Sequence, residues 1–404
     1  MKNISIIIQK LNFGGAERCA SNLSIDLSNL FDTHIIVFDG SNQMYPHGGT
    51  LHDLKIPGTS NKIKKVLNVF KRNRAVRKIK KENKIDCSIS LLTGANYVNV
   101  KSCVGEKTIV SIRNNMSSSS LSDREEKMVR ESCRRADCVV ALSESVRQDM
   151  IANYGVDKDK IVTIYNSCDA ERLKRLAAQT DSKNGFHIDG DYIVTMGRLM
   201  FQKGQWHLLR AFSEVHKTFP DLKLVILGEG EDEFSEKLKK LSADLGLANS
   251  VIFAGYIKNP HNIIAKSKMF VFPSIYEGLG NVLLEALACG KAIISTDCKS
   301  GPREILAPDT DFSITEKSKL KDYSLEEYGI LIPAFDRSSD LDSTEVSDKE
   351  IILANAICKL YEDDQLRAKY ENNSEKRIKD FLPEKIACDW KQLIDQICDS
   401  ELKR

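Results

Sequence analysis

Short runs of β-branched and apolar residues recur along the chain, each followed by a longer stretch in which apolar positions return every three or four residues. In the first part these runs are ISIII, HIIVF, IDCSISL, TIVSI, CVVALS and KIVTIYN. After the polar, glycine-bearing stretch QTDSKNGFHIDGDYIV the rhythm restarts with YIVTMGR, LKLVILG, VIFAGY, MFVFPS and AIISTD. Apolar strands alternating with amphipathic helices predict parallel sheets wrapped by helices. Two doubly wound α/β domains are therefore expected, joined near residues 167–190. A polar, charged segment at 309–327 reads as an insertion before YGILIPAFD. In FLPEKIACDWKQLIDQI, the residues Ile386, Trp390, Leu393 and Ile397 fall at helical spacing with Phe381 just ahead, which predicts a closing helix in need of an apolar partner surface.

Composition adds limits. At 404 residues the chain exceeds what one hydrophobic core usually organises, so two domains with a cleft between them are expected. With 42% hydrophobic and 29% charged residues it is an ordinary globular protein. A formal charge of +2 gives no global attraction to nucleic acid or membrane, so such a partner needs a local patch. Residues 61–84, NKIKKVLNVFKRNRAVRKIKKENK, supply one, with eleven Lys or Arg against one Glu. Ile63, Val66, Leu67, Phe70, Val76 and Ile79 lie at helical spacing there. Either a helix packs on the first sheet with a solvated outer face, or a cationic patch faces anionic lipid or a polyprenyl diphosphate.

The 11 cysteines are scattered singly and contain no C-x-x-C pair, the nearest being Cys133 and Cys138, so neither a zinc ribbon nor a redox motif is expected. The amino-terminal MKNISIIIQKLNFGGAE reads as a first strand rather than a signal peptide. No stretch approaches the roughly 20 apolar residues of a membrane span. The expected compartment is the reducing cytoplasm, with free buried thiols and the inner face of the plasma membrane as a peripheral option.

Candidate chemistry centres on YEGLGNVLLEALACG, residues 276–290. Val282, Leu283, Ala286 and Leu287 predict a buried helix face behind a Gly280-Asn281 start, following the strand MFVFPS. A helix start at a strand's carboxyl end favours anionic ligands. Glu277 and Glu285 would stand roughly 12 Å apart if all eight steps were helical, too far for one acid/base pair across a single bond. Two hydroxyl-bearing rings flanking a phosphate group fit better; a capping Glu277 and a solvated Glu285 are the plain alternative. In TMGRLMFQKGQWHLLRAF, Arg198 and Lys203 follow the first strand of the second half, placed either to hold a diphosphate or as a solvated turn. Gly228 and Gly230 in LVILGEGEDEF permit close backbone approach to a ligand. Gly14 and Gly15 in LNFGGAE offer the same from the other domain, or form a plain tight turn.

Over nearly its whole length the chain resembles a retaining glycosyltransferase of family 4. The likeness rests on GGAE, YNSCD, GRLMFQKG, LGEGED, VIFAGYI and PSIYEGLGNVLLEALACGKAIISTD, with STDCKSGPREIL and YGILIP also finding counterparts. It is most similar to bacterial transferases that build surface polysaccharides and lipid-linked oligosaccharides. The resemblance implies a GT-B fold, two Rossmann-like domains facing across a cleft. The first, 1–170, binds the acceptor and receives the closing helix 381–404; the second, 171–380, binds the nucleotide sugar.

It also implies roles. Arg198 and Lys203 neutralise the donor diphosphate, Glu277 binds hydroxyls of the transferred sugar and Glu285 the ribose. Gly280, Asn281 and Val282 offer backbone amides near sugar and phosphate, and the backbone at Tyr256 and Ile257 meets the base. A UDP-sugar carrying a hexose or N-acetylhexosamine is the expected donor, with no metal and no other cofactor, because fixed cations and amides stabilise the leaving diphosphate. Some relatives place a histidine where this chain has SIRNN, with Arg113 and Asn114. Arg113 then either contacts a donor or acceptor phosphate or pairs with a carboxylate. The rivals are a GT-B epimerase or phosphorylase and a non-catalytic nucleotide-sugar-binding scaffold; the glycine spacings disfavour a nicotinamide oxidoreductase.

Overall fold

The computed structural model describes all residues except 13, 120, 180–187, 311–319, 338–339 and 400–404. Parts of the expected linker and of the 309–327 insertion thus lie outside the described residues. The chain divides into two compact units, Met1–Ser167 with Pro383–Arg404, and Cys168–Leu382.

In the first unit seven strands form one parallel sheet among the described residues: β1 (Asn3–Ile8), β2 (Asp32–Val37), β3 (Thr50–Asp53), β4 (Cys87–Leu91), β5 (Lys107–Ile112), β6 (Cys138–Ala141) and β7 (Ile161–Thr163). Their order is β3-β2-β1-β4-β5-β6-β7, which reverses direction of growth between β1 and β4. The helices are α1 (Gly15–Ser28), α2 (Lys62–Glu82), α3 (Thr93–Lys101), α4 (Asp123–Arg135) and α5 (Glu144–Tyr154). The run ISIII is apolar throughout because both sheet faces are covered. Ile6 and Ile8 pack with Leu23 and Leu27 of α1, whereas Ile7 packs with Val76 of α2 and Val98 of α3. A Ser122–Glu125 capping box starts α4.

The second unit carries β8 (Tyr192–Met196), β9 (Lys223–Leu227), β10 (Val251–Gly255), β11 (Phe270–Phe272), β12 (Ile293–Thr296), β13 (Ser324–Leu325) and β14 (Ile330–Ile332). The order β10-β9-β8-β11-β12-β14-β13 repeats the first winding, and its switch lies between β8 and β11. All pairs are parallel except β13 with β14. Around it stand α6 (Ala170–Ala177), α7 (Gln205–Thr218), α8 (Asp232–Asp244), α9 (His261–Lys266), α10 (Asn281–Ala288), α11 (Pro302–Leu306), α12 (Asp348–Glu362) and α13 (Asp364–Arg377).

The closing helix α14 (Pro383–Asp399) finds its apolar partner in the first unit. Ile386, Trp390, Leu393 and Ile394 join the core of α1 and β1, and Lys2 Nζ lies 2.6 Å from Asp395 Oδ1. Each such buried side chain contributes about 1.5–3 kcal/mol.

The basic stretch behaves as two halves. Val76 is buried and Ile79 packs beside it, but Ile63, Val66, Leu67 and Phe70 are 52–74% exposed. Two of its cations are not surface charges. Arg72 lies 4.5 Å over the Phe38 ring and donates to the Ile56 carbonyl. Lys80 is fully buried, 2.6 Å from Glu106 and also hydrogen-bonded to Asn99.

Candidate active site

The switch point of the second sheet is where an open α/β fold presents its ligand site, and the two loops that leave it there carry Arg198, Lys203 and Glu277. They are stitched together by backbone. Ile275 N donates to Gln202 O at 2.9 Å, and Gln202 Nε2 donates to Tyr276 O at 2.9 Å. Gly204 starts α7 in the left-handed region at φ 63°, and a Cβ there would lie 2.2 Å from the Pro273 carbonyl. Only glycine lets the lysine turn close on the end of β11.

This closure delivers the central contact: Lys203 Nζ lies 2.6 Å from Glu277 Oε1, 74 positions away in sequence. The pair is largely shielded, with 18% and 8% of the side chains exposed. Glu277 is not a helix cap, because Gly280 takes that position on α10. Arg198 is exposed on the same loop as Lys203, and its carbonyl accepts from Gln205. Asn281 and Val282 are half-buried in the first turn of α10. Cys298, beside this site, has its thiol pushed up by burial and further by the Glu277 carboxylate.

Glu285 is buried rather than solvated, and it pairs with His261, a residue the sequence did not single out. Its helical pattern placed it correctly on α10, but nothing local announced a partner 24 positions earlier. Gly228 is required for a different reason than expected. At φ 128° its missing Cβ leaves room for the Gly197 carbonyl, 2.1 Å from where that atom would sit. The close approach is of backbone to the Arg198 loop, as it is for Gly230 towards Leu199. At the end of β10, Tyr256 is exposed, its backbone N–H 3.3 Å from Glu229 Oε1, and Ile257 is half-buried.

In the first unit, Gly14 precedes α1 and Gly15 opens it. Arg113 follows β5 and is buried against neutral partners. Its guanidinium donates to Asn166 Oδ1, to Ser111 Oγ at 3.2 Å and to Cys19 Sγ at 2.9 Å. Its Nε is buried with no partner among the described residues. Burial pulls its pKa below the ordinary arginine value. Asn114 points to solvent, whereas its neighbour Asn115 is buried and accepts from Ser118 N.

Two family models account for most of the chain: Glycosyltransferase Family 4 over residues 13–172 and Glycosyl transferases group 1 over residues 178–324. An uncharacterized glycosyltransferase of Methanocaldococcus jannaschii is 37% identical over 265 residues, 64% of each chain. The N-acetylgalactosamine-N,N'-diacetylbacillosaminyl-diphospho-undecaprenol 4-alpha-N-acetylgalactosaminyltransferase of Campylobacter jejuni is 29% identical over 96% of this chain and 98% of its own. Among solved structures, Anabaena HepE in complex with UDP aligns with a TM-score of 0.73 at 18% identity, over 98% of this chain and 100% of that one. The fold it shares is GT-B. The two sheets of like winding and the side-by-side family matches place this chain among the glycosyltransferases of the family 4 and group 1 type.

Proposed function

We propose that the chain transfers a hexose or N-acetylhexosamine, with retention of anomeric configuration, from a UDP-sugar to a glycan acceptor carried on a polyprenyl diphosphate. The observation that carries this reading is the Lys203–Glu277 contact at the switch point, with Arg198 on the same loop. When the bond from the anomeric carbon to the leaving phosphate breaks, negative charge grows on the diphosphate. Arg198 meets it with a fork of donors and Lys203 with a point charge. Glu277 then has two tasks: it accepts from hydroxyls of the transferred sugar and it aims the Lys203 ammonium. Glu285 meets the ribose, and amides at the start of α10 face the sugar and phosphate. A phosphate oxygen of the leaving group takes the acceptor's proton on the same face. The choice of donor draws support from the UDP-bound structural neighbour, and the choice of acceptor from the Campylobacter relative.

The cations present make a divalent ion unnecessary in this scheme, so turnover is expected to survive EDTA. Release of UDP from candidate donors, measured with and without a polyprenyl-diphosphate glycan, tests the reaction. A thermal-shift comparison of UDP-, GDP- and ADP-sugars tests the base. Acceptor-dependent release marks the transferase, isomerisation without acceptor marks the epimerase alternative, and binding with no turnover marks a scaffold.

No described helix is long and apolar enough to cross a membrane. The first half of α2 instead gives a surface route to a lipid substrate. Ile63, Val66, Leu67 and Phe70 are exposed beside the exposed cations Lys64, Lys65, Lys71 and Arg74. Apolar side chains flanked by lysines suit an anionic bilayer surface. Sedimentation with anionic and with neutral vesicles tests this. Equal retention by both, or by neither, removes the membrane from the scheme.

A further inference from the structure

Glu285 is gripped from behind. Its Oε2 lies 3.0 Å from Nε2 of His261, and both side chains are under 10% exposed. A carboxylate only accepts, so the imidazole proton belongs on Nε2. The other edge of the ring faces Asn259, with Nδ1 3.3 Å from Oδ1. That amide is itself oriented: its Nδ2 donates to the Leu176 carbonyl of α6 at 2.8 Å, which turns Oδ1 towards the ring and the His261 backbone N–H. Asn259 thus ties the His261 backbone to α6, and the ring held there reaches the carboxylate through Nε2–H. Cys289 places its Sγ 3.8 Å from the His261 carbonyl, and burial, with the Glu285 charge adding, pushes its thiol up to about 12.

A glutamate on a helix surface samples several rotamers, and binding a diol with one requires freezing it. We propose that His261 is a positioning residue that fixes the Glu285 carboxylate in advance to receive the ribose hydroxyls of the nucleotide. The inference rests on the reading above, in which Glu285 meets the ribose. His261 does not touch the nucleotide itself; it removes the rotamer freedom that binding would otherwise have to remove, and it polarises one carboxylate oxygen.

The test is calorimetric titration of the full chain with UDP and with 2′-deoxy-UDP, for wild type, His261→Ala, His261→Gln and Glu285→Ala. Wild type is expected to prefer the ribonucleotide. His261→Ala should weaken UDP binding about tenfold, with little change for 2′-deoxy-UDP, so that the preference collapses. His261→Gln, whose amide nitrogen can occupy the place of Nε2, should restore most of it. A merely structural role would lower the melting temperature and weaken both ligands alike. Loss of the preference in Glu285→Ala together with its retention in His261→Ala would overturn the positioning role while leaving the ribose reading intact. Retention in Glu285→Ala would overturn the ribose reading, and the inference with it. If His261→Ala fails to fold, His261→Gln against Glu285→Ala decides: wild-type preference in the first and none in the second supports the proposal, and no preference in either overturns it.

Discussion

The two units wind their sheets in the same order yet differ in how they hold a guanidinium buried near a strand end: Arg303 has a carboxylate beside it, and Arg113 has none among the described residues. In the second, buried groups near the carboxyl ends of the strands are matched: Lys203 with Glu277 and Asp297 with Arg303 at 2.5 Å by charge, and Glu285 with His261 by a hydrogen bond. In the first, Arg113 at the end of β5 is buried among neutral groups. One matched pair of that unit, Lys80 with Glu106, lies where α2 meets the loop before β5, and another, Lys10 with Asp39 at 2.7 Å, lies just beyond β1 and β2. A buried guanidinium without a carboxylate loses solvation that nothing inside its own unit repays in full. One topology thus carries a guanidinium paired with a carboxylate in one copy and a guanidinium held by neutral groups in the other.

Ways to break this contrast differ in size. The largest effect is expected from Lys203→Ala, which removes a cation from the developing charge, or Glu277→Ala, which removes the acceptor for the sugar hydroxyls and the aim of Lys203, each reducing turnover about 10³-fold with the fold retained. Steady-state transfer assays paired with thermal melts check it. Wild-type turnover in both variants would mean that the contact is only structural.

Next comes Lys80→Ala, which strands a buried carboxylate and is expected to destabilise the first unit by about 3–5 kcal/mol, read from urea unfolding. The sign of its pH dependence is also informative. Burial pushes Glu106 up, but the charge and hydrogen bond of Lys80 outweigh it, and the carboxyl sits below its usual range. Stability from this pair is therefore complete above the ordinary carboxylate range and is lost as pH falls through the depressed value. Without Lys80, burial is opposed only by hydrogen bonds such as that from Val104 N–H at 2.7 Å, so the loss of stability on the acid side should shrink in the variant.

A smaller effect, roughly 10- to 100-fold in acceptor kcat/KM, is expected for Arg113→Met, with UDP affinity unchanged by calorimetry. Equal loss towards donor and acceptor would show that the charge serves the whole fold. The smallest effect on catalysis is expected from reversal of Lys64, Lys65, Lys71 and Arg74 to glutamate. Each exposed cation adds about 1 kcal/mol to binding at an anionic bilayer, so vesicle retention should fall while activity on a water-soluble acceptor persists. Arg72 is left out of this set because its stacking on Phe38 belongs to the fold.

Much of the architecture was legible in linear order. Apolar runs such as ISIII and CSISL are buried on both sheet faces, so their composition reports the parallel sheet directly. The spacing in α14 announced an apolar partner, although not that α1 and β1 would supply it. The site was legible as residue types. Four charged residues stood out, and the structure places two of them in contact. Less legible were roles that depend on distant neighbours: that His261 meets Glu285, that Gly228 makes room for the Gly197 carbonyl, and that Arg113 lies among Cys19, Ser111 and Asn166. The basic stretch failed as a single unit, because its helical spacing continues from Ile63 to Ile79 while packing partners exist only for the second half.

Local rules act over a few residues, so the sequence by itself determined the alternation of strands and helices, the two windings and the chemical kinds of side chain available at the strand ends. Tertiary structure decided which of those side chains share a proton or a charge, since the contacts join loops 24 to 74 positions apart and depend on angstrom-level closure at glycines such as Gly204. Hydrophobic periodicity survives any set of loop conformations; an ion pair at 2.6 Å survives only one.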